Sequence, residues 1–212
     1  MLRCTLWPRL VAPLILLAVP AALIAQPARQ ASRARTAQQK IADATSAAPA
    51  MISSKATVMD WPESEGGESK QLRAGSNGWV CFPTTPKVFA SAAGRDPMCL
   101  DEAWQAWAQA WMSKGTPQIK AVGIGYMLRG DAGASNTDPF ATEKTADNNW
   151  VHSGPHIMVI VPDVDQLKGF NTDPTTGAPW VMWQGTPYAH IMVPVAPPRA
   201  HPTAARSRPR SP

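Results

Sequence analysis

The sequence predicts an α+β fold, a mainly antiparallel sheet packed by a Trp-rich helix, in a single domain spanning 41–195. Three observations predict it. Short apolar segments rich in Val, Ile, Met and Trp recur along the chain, each bounded by Gly, Pro, Asn or Asp, as half-buried strands require. One segment, "DEAWQAWAQAWMSKG", instead carries Trp104, Trp107 and Trp111 three and four residues apart, which places them on one helical face. Few helices set against many strands place the helix on one side of an antiparallel sheet.

The elements follow in chain order. Arg3 and Arg9 with the apolar run Leu10–Ile24 form the pattern of an export signal, and residues 1–25 are expected to be removed. Pro13 and Pro20 break the run, which falls short of the about 20 residues a membrane span needs. An uncleaved anchor is the alternative reading, and no transmembrane segment is expected after cleavage. Residues 26–40 are polar and basic and are expected to be a tether. Ile41–Lys55 holds helix-favouring stretches, with Pro49 suited to a first turn. "ATVMDW" and "NGWVCF" are strand candidates separated by the turn-rich "PESEGGESK", and Pro83–Pro97 is expected to be irregular.

In the tryptophan helix Asp101 is the expected N-cap, Glu102 suits the positive helix end, and Lys114–Gly115 is the stop. The stripe could be a sugar-stacking platform, but indoles at this spacing more often pack a core. "IKAVGIGYML" predicts a strand in which Gly123 and Gly125 admit a close neighbour. The polar loop Gly130–Trp150 follows, long enough to be functional. "HIMVIVP" is a buried strand, "WVMWQGTPYAHIMVPV" a hairpin turning near Gly185–Pro187, and 196–212 a disordered Pro/Arg-rich tail.

Charge and cysteines narrow the function. Residues 41–195 hold ten Lys/Arg against fifteen Asp/Glu, so the basic excess belongs to the two ends. No motif supports specific nucleic-acid binding. After cleavage only Cys81 and Cys99 remain, and in an oxidising compartment they are expected to pair, with buried free thiols as the alternative. Such a bridge is worth about 3 kcal/mol in the chain-entropy model. No Cys-x-x-Cys pair points to redox catalysis. Together these features predict an exported protein, periplasmic or secreted.

Two of the four histidines stand in the same tetrapeptide, His-Ile-Met-Val, at 156–159 and 190–193. Alternate strand residues share a face, so His156 points with Met158 and His190 with Met192. Paired with His156 opposite Met192, the four would crowd one face, with His152 nearby. Imidazole and thioether suit copper, and zinc accepts imidazole. The plain alternative is structural histidines in two similar strands. On the loop, Ser135, Asn136 and Asp138 are ligand-binding candidates, and with Asp131 they hold oxygens close together. Their spacing does not match a calcium loop, and they are also good turn formers. A serine hydrolase would use Ser135 with His156 or His190 and Asp131 or Asp138, but the nucleophile-elbow frame is missing.

The blocks "ATVMDWP", "LRAGSNGW", "DPMCLDEAW", "YMLRGDAGASNTDPFA", "SGPHIMVIVPD" and "TPYAHIMVPV" resemble a family of uncharacterised secreted bacterial proteins with no assigned activity. The resemblance implies export, a bacterial source and the 41–195 limits, and transfers no catalytic residue. The expectation is therefore a binding or interaction module for a small molecule, protein or envelope polymer. The alternatives are a copper or zinc protein and a metal-assisted or serine hydrolase on the His152/His156/His190 region. No cofactor motif is present.

Overall fold

Helix α1 (Ala37–Thr45) starts four residues before the expected domain limit. Its start is fixed locally: the Thr36 side chain accepts from Gln39 N, and the Gln39 side chain accepts in return from Thr36 N. The computed structural model describes residues 35–64, 66–86 and 94–196. The expected leader 1–25, the tether up to residue 34 and nearly all of the tail lie outside the described residues. Inside α1, Asp43 accepts from Thr84 N and pairs with Arg35 at 2.7 Å and Arg95 at 2.6 Å. Burial works against its charge, but the Thr84 bonds and the two guanidinium groups outweigh it and hold the carboxyl at about 2. A residue read as tether, Arg35, is thus part of the fold.

After the short α2 (Ala50–Ser53) come β1 (Thr57–Met59), β2 (Gln71–Arg73), β3 (Val80–Phe82), β4 (Met98–Leu100), α3 (Glu102–Met112) and β5 (Gly123–Met127). The remainder is β6 (Ala134–Ser135), β7 (Trp150–Val151), β8 (His156–Ile160), a 3-10 turn (Val164–Leu167), β9 (Trp180–Met182) and β10 (His190–Pro194). Eight strands form one mixed sheet in the order β2-β1-β3-β4-β5-β8-β10-β9, and β6 and β7 pair separately. Every contact in the large sheet is antiparallel except β1 with β3. Directly after the passage expected to be irregular comes β4, a strand that was not expected. Three residues between Pro97 and Asp101 are too few for an alternation signal, yet they pair with both neighbours.

Cys81 and Cys99 stand directly opposite each other on β3 and β4 and form a disulfide, with S–S 2.01 Å. Next to it Leu100 points the other way, into the cluster that holds Trp104, while Cys99 Sγ lies 3.6 Å from Ala44 O of α1. The alternation along β4 therefore divides two cores across the sheet. No helix among the described residues is long and apolar enough to cross a membrane.

Helix α3 starts where Asp101 accepts from Trp104 N at 2.9 Å, and its other carboxylate oxygen accepts from Ile124 N. One aspartate thus caps the helix and ties it to β5. Lys114 takes a left-handed φ of 55° and the Gly115 amide closes back on Ala110 O. Trp104 and Trp107 are buried and Trp111 is half-buried. At Gly125 an added Cβ would lie 2.8 Å from Met158 Cε and 3.4 Å from Trp104. The close neighbour at this strand glycine is a packed side chain, and the bare Cα lets α3 approach.

Candidate functional site

The base of the Gly130–Trp150 loop is held by Asp131. Its backbone N–H donates to Ser153 O, and its Oδ1 accepts from Gly133 N at 3.0 Å and Ser153 N at 2.9 Å. Gly133, at φ 103°, has no room for a side chain: a Cβ there would stand 2.3 Å from Trp150 Nε1 and 2.7 Å from the His152 ring. His152 is exposed and lies over this turn, while His156 and His190 are buried. Ser135 is also buried. Its hydroxyl donates to Asn148 O at 2.7 Å and accepts from Thr137 N and Asp138 N. Asp138, at the surface, accepts from Phe140 N. Both residues bond nearby backbone, as turn formers do. A nucleophile needs a base within hydrogen-bond reach, and the hydrogen bonds at Ser135 Oγ all go to this loop.

Asn136 is different. It is 6 % exposed, and four chain segments cross at it. Its N–H donates to Asn149 O, its C=O accepts from Trp183 N, and its Nδ2 donates to Thr172 O at 3.1 Å. Its side-chain Oδ1 is buried and receives no hydrogen bond. Around it lies a cleft of about 210 Å³, lined by Asn136, Thr137, Asn149, Thr172, Val181 and Gln184. No ionisable side chain lines it. Two of the only three described non-glycine residues with positive φ border this spot, Asn149 at 40° and Trp183 at 56°. Such conformations cost on the order of 1–3 kcal/mol each, persist only where the surroundings over-determine them, and concentrate at functional sites.

The surroundings that hold Trp183 can be named. Its Nε1 donates to Ser135 O at 2.6 Å, and its ring stacks within 5° of parallel on Trp107 and Trp111, with centroids 5.9 and 6.5 Å away. Phe140 continues the stack on Trp111 at 6.2 Å. The stripe of α3 is therefore core, and it also stacks on Trp183, whose backbone N–H bonds the Asn136 backbone oxygen. A larger groove of about 340 Å³ lies at Asp60, Trp61, Glu63, Glu68 and Lys70. It is about as open to solvent as the Asn136 cleft, but none of its described side chains has a buried polar atom without a partner.

The histidine strands pair in a register two residues away from the expected one. Met192 faces Met158, His156 faces Pro194, and by continuation His190 comes level with Ile160. The expected pairs His156–Met192 and Met158–His190 are not formed. A shift of two keeps every side chain on its face, so the four residues still share one, but His156 and His190 now sit at opposite ends of the methionine pair. Four residues of strand separate their levels by about 13 Å, too far for one ion to draw both imidazoles to itself. Nor does β9 come between them, since β10 is flanked by β8 and β9. Among the described residues no three His, Cys, Asp or Glu side chains gather as a metal site. A metal held here would need thioethers.

Both rings are anchored alike. His156 Nδ1 lies 2.6 Å from Gly154 O and His190 Nδ1 lies 3.0 Å from Tyr188 O. A carbonyl only accepts, so Nδ1 carries the proton in each and Nε2 is a bare lone pair. Burial lowers both pKa values. For His190 the value falls to about 4, with the Tyr188 bond opposing and His156 adding to the fall; for His156 the Asp131 charge and the Gly154 bond oppose it. Asp131 also acts on Asp96, whose carboxyl is raised by burial and then, against the backbone and side-chain bonds from Thr85, by that like charge.

Comparison with protein-family models, curated proteins and solved structures returned no match. Of the residues singled out in the sequence, Asn136 lines the cleft. Thr172, which accepts from its Nδ2, and Gln184, which also lines the cleft, were not singled out, and only the fold brings them to the loop.

Proposed function

We propose that this chain is an exported bacterial binding module, a single α+β domain covered by its Trp-rich helix, that holds a small neutral polar ligand in the cleft at Asn136. The carrying observation is the side-chain oxygen of Asn136, Oδ1, which is buried and without a donor. An unpaired buried acceptor costs about 1–3 kcal/mol, and a ligand N–H or O–H would complete it. The cleft has amides and hydroxyls but no charge to offer, so the fitting occupant is uncharged. Its volume lies below the about 300–1,000 Å³ of drug-sized pockets, which suits one sugar ring or one amide group, free or at the end of an envelope polymer. Export rests on the amino-terminal pattern, and the Cys81–Cys99 bridge is compatible with an oxidising compartment.

The test uses the purified full chain against a panel of neutral mono- and disaccharides and primary amides, read by ligand-observed NMR. Binding is expected from members carrying an exposed N–H or O–H, and Asn136→Leu should weaken it at least tenfold while the indole circular dichroism is retained. A ligand bound equally well by Asn136→Leu would contradict the assignment. Amino-terminal sequencing of the periplasmic product tests export separately, with cleavage near Ala25 expected.

A further inference from the structure

We propose that Met127, His156 and Met158 form a binding site for a soft monovalent metal ion, copper(I), independent of the Asn136 cleft. The β5–β8 register places Met127 directly opposite His156, and Met158 follows His156 two residues along β8 on the same face. All three side chains are buried, at 6 %, 1 % and 7 % exposure. Cross-strand neighbours of this kind have Cβ atoms about 5 Å apart. Met158 leans toward β5: its methyl end rests over Gly125, where an added Cβ would be 2.8 Å from it. Both thioethers are therefore carried on the β5 side of the imidazole.

The second observation is the lone pair itself. His156 Nε2 is buried and has no hydrogen-bond partner, while the Gly154 carbonyl fixes the proton on the other ring nitrogen. That is the arrangement by which proteins present an imidazole to a metal. Thioethers select copper(I), whereas calcium and magnesium require oxygen ligands, and zinc favours thiolate, imidazole and carboxylate. Asp131, within electrostatic reach of the ring, supplies a negative charge close to the ion.

The full chain would be titrated anaerobically with copper(I) against a chromophoric copper(I) chelator, and the loaded protein examined by X-ray absorption. One ion per chain is expected, with sulfur and nitrogen in its first shell. Met127→Leu and Met158→Leu, which conserve volume and should fold, are each expected to weaken binding at least tenfold. Met182→Leu, on the edge strand opposite His190, should leave it unchanged. Failure to take up copper(I), a shell of nitrogen and oxygen alone, or retention of affinity in both variants would overturn the site. Loss of copper binding leaves the saccharide and amide panel unaffected, so the two proposals fail separately.

Discussion

The strands His156–Ile160 and His190–Pro194 begin with the same four residues and anchor their imidazoles the same way, yet they set them in different surroundings. His190 is met edge-on by three indoles, Trp104 at 5.3 Å, Trp107 at 5.7 Å and Trp183 at 5.0 Å. His156 instead faces Met127 across the strand pair and feels the Asp131 carboxylate. The tetrapeptide decides which face each ring points to, and the backbone carbonyl two residues before it decides which nitrogen keeps its proton. The neighbouring strand and helix decide what the other nitrogen meets. One ring is a packing element in an aromatic box, and the other is a ligand candidate among thioethers.

The largest effect should come from the aromatic box. His190→Ala removes a fully buried ring between three indoles and leaves Tyr188 O without its donor, so a loss of about 4 kcal/mol is expected by denaturant unfolding. A loss under 1 kcal/mol would break the assignment of His190 to structure. Acid should act through the same ring. Its pKa is near 4 in the fold against an ordinary 6.5. Below pH 6.5 the unfolded chain takes the proton first, so stability is complete above that value and falls as pH drops toward 4, by about 3 kcal/mol. His190→Phe should flatten this slope relative to the parent, and an unchanged slope would count against a neutral buried imidazole.

Reduction of the Cys81–Cys99 bridge, which lies on the opposite face of the sheet from both rings, is a control. It should lower stability by up to about 3 kcal/mol while leaving the response of His156 to copper(I) intact. The smallest effect is expected at Gly125→Ala, about 1 kcal/mol, because the closest atom to the new methyl is the movable end of Met158. Displacing that end should nevertheless weaken copper(I) binding. A variant with weaker folding and unaltered copper affinity would remove Met158 from the site.

Much of this was legible in the sequence where side-chain periodicity carries it. Asp101 caps the tryptophan helix, Lys114 and Gly115 end it, and the segments at 57–59, 80–82, 123–127, 156–160 and 180–194 supply strands where alternation placed them. The register of β8 with β10 was not legible, because pairings that differ by two residues bury the same face. The parallel contact of β1 with β3 was not legible either, and β2 and β4 were hidden because a polar turn-rich stretch and a proline-rich passage precede them, so that only pairing with their neighbours defines them. The start of α1 could have been found from the capping pair Thr36 and Gln39, which the basic composition around it masked. At the cleft, Asn136 stood out on its loop, but Thr172 and Gln184 did not, since their role comes from where the sheet delivers them.

The difference between the two histidines can be read most directly from long-range proton–nitrogen NMR of the side chains, before and after one equivalent of copper(I). Both rings should begin as neutral imidazoles protonated at Nδ1, and on addition only the His156 Nε2 resonance should shift. Equal shifts at both rings, or an Nε2-protonated His156 at the outset, would contradict the separation of roles.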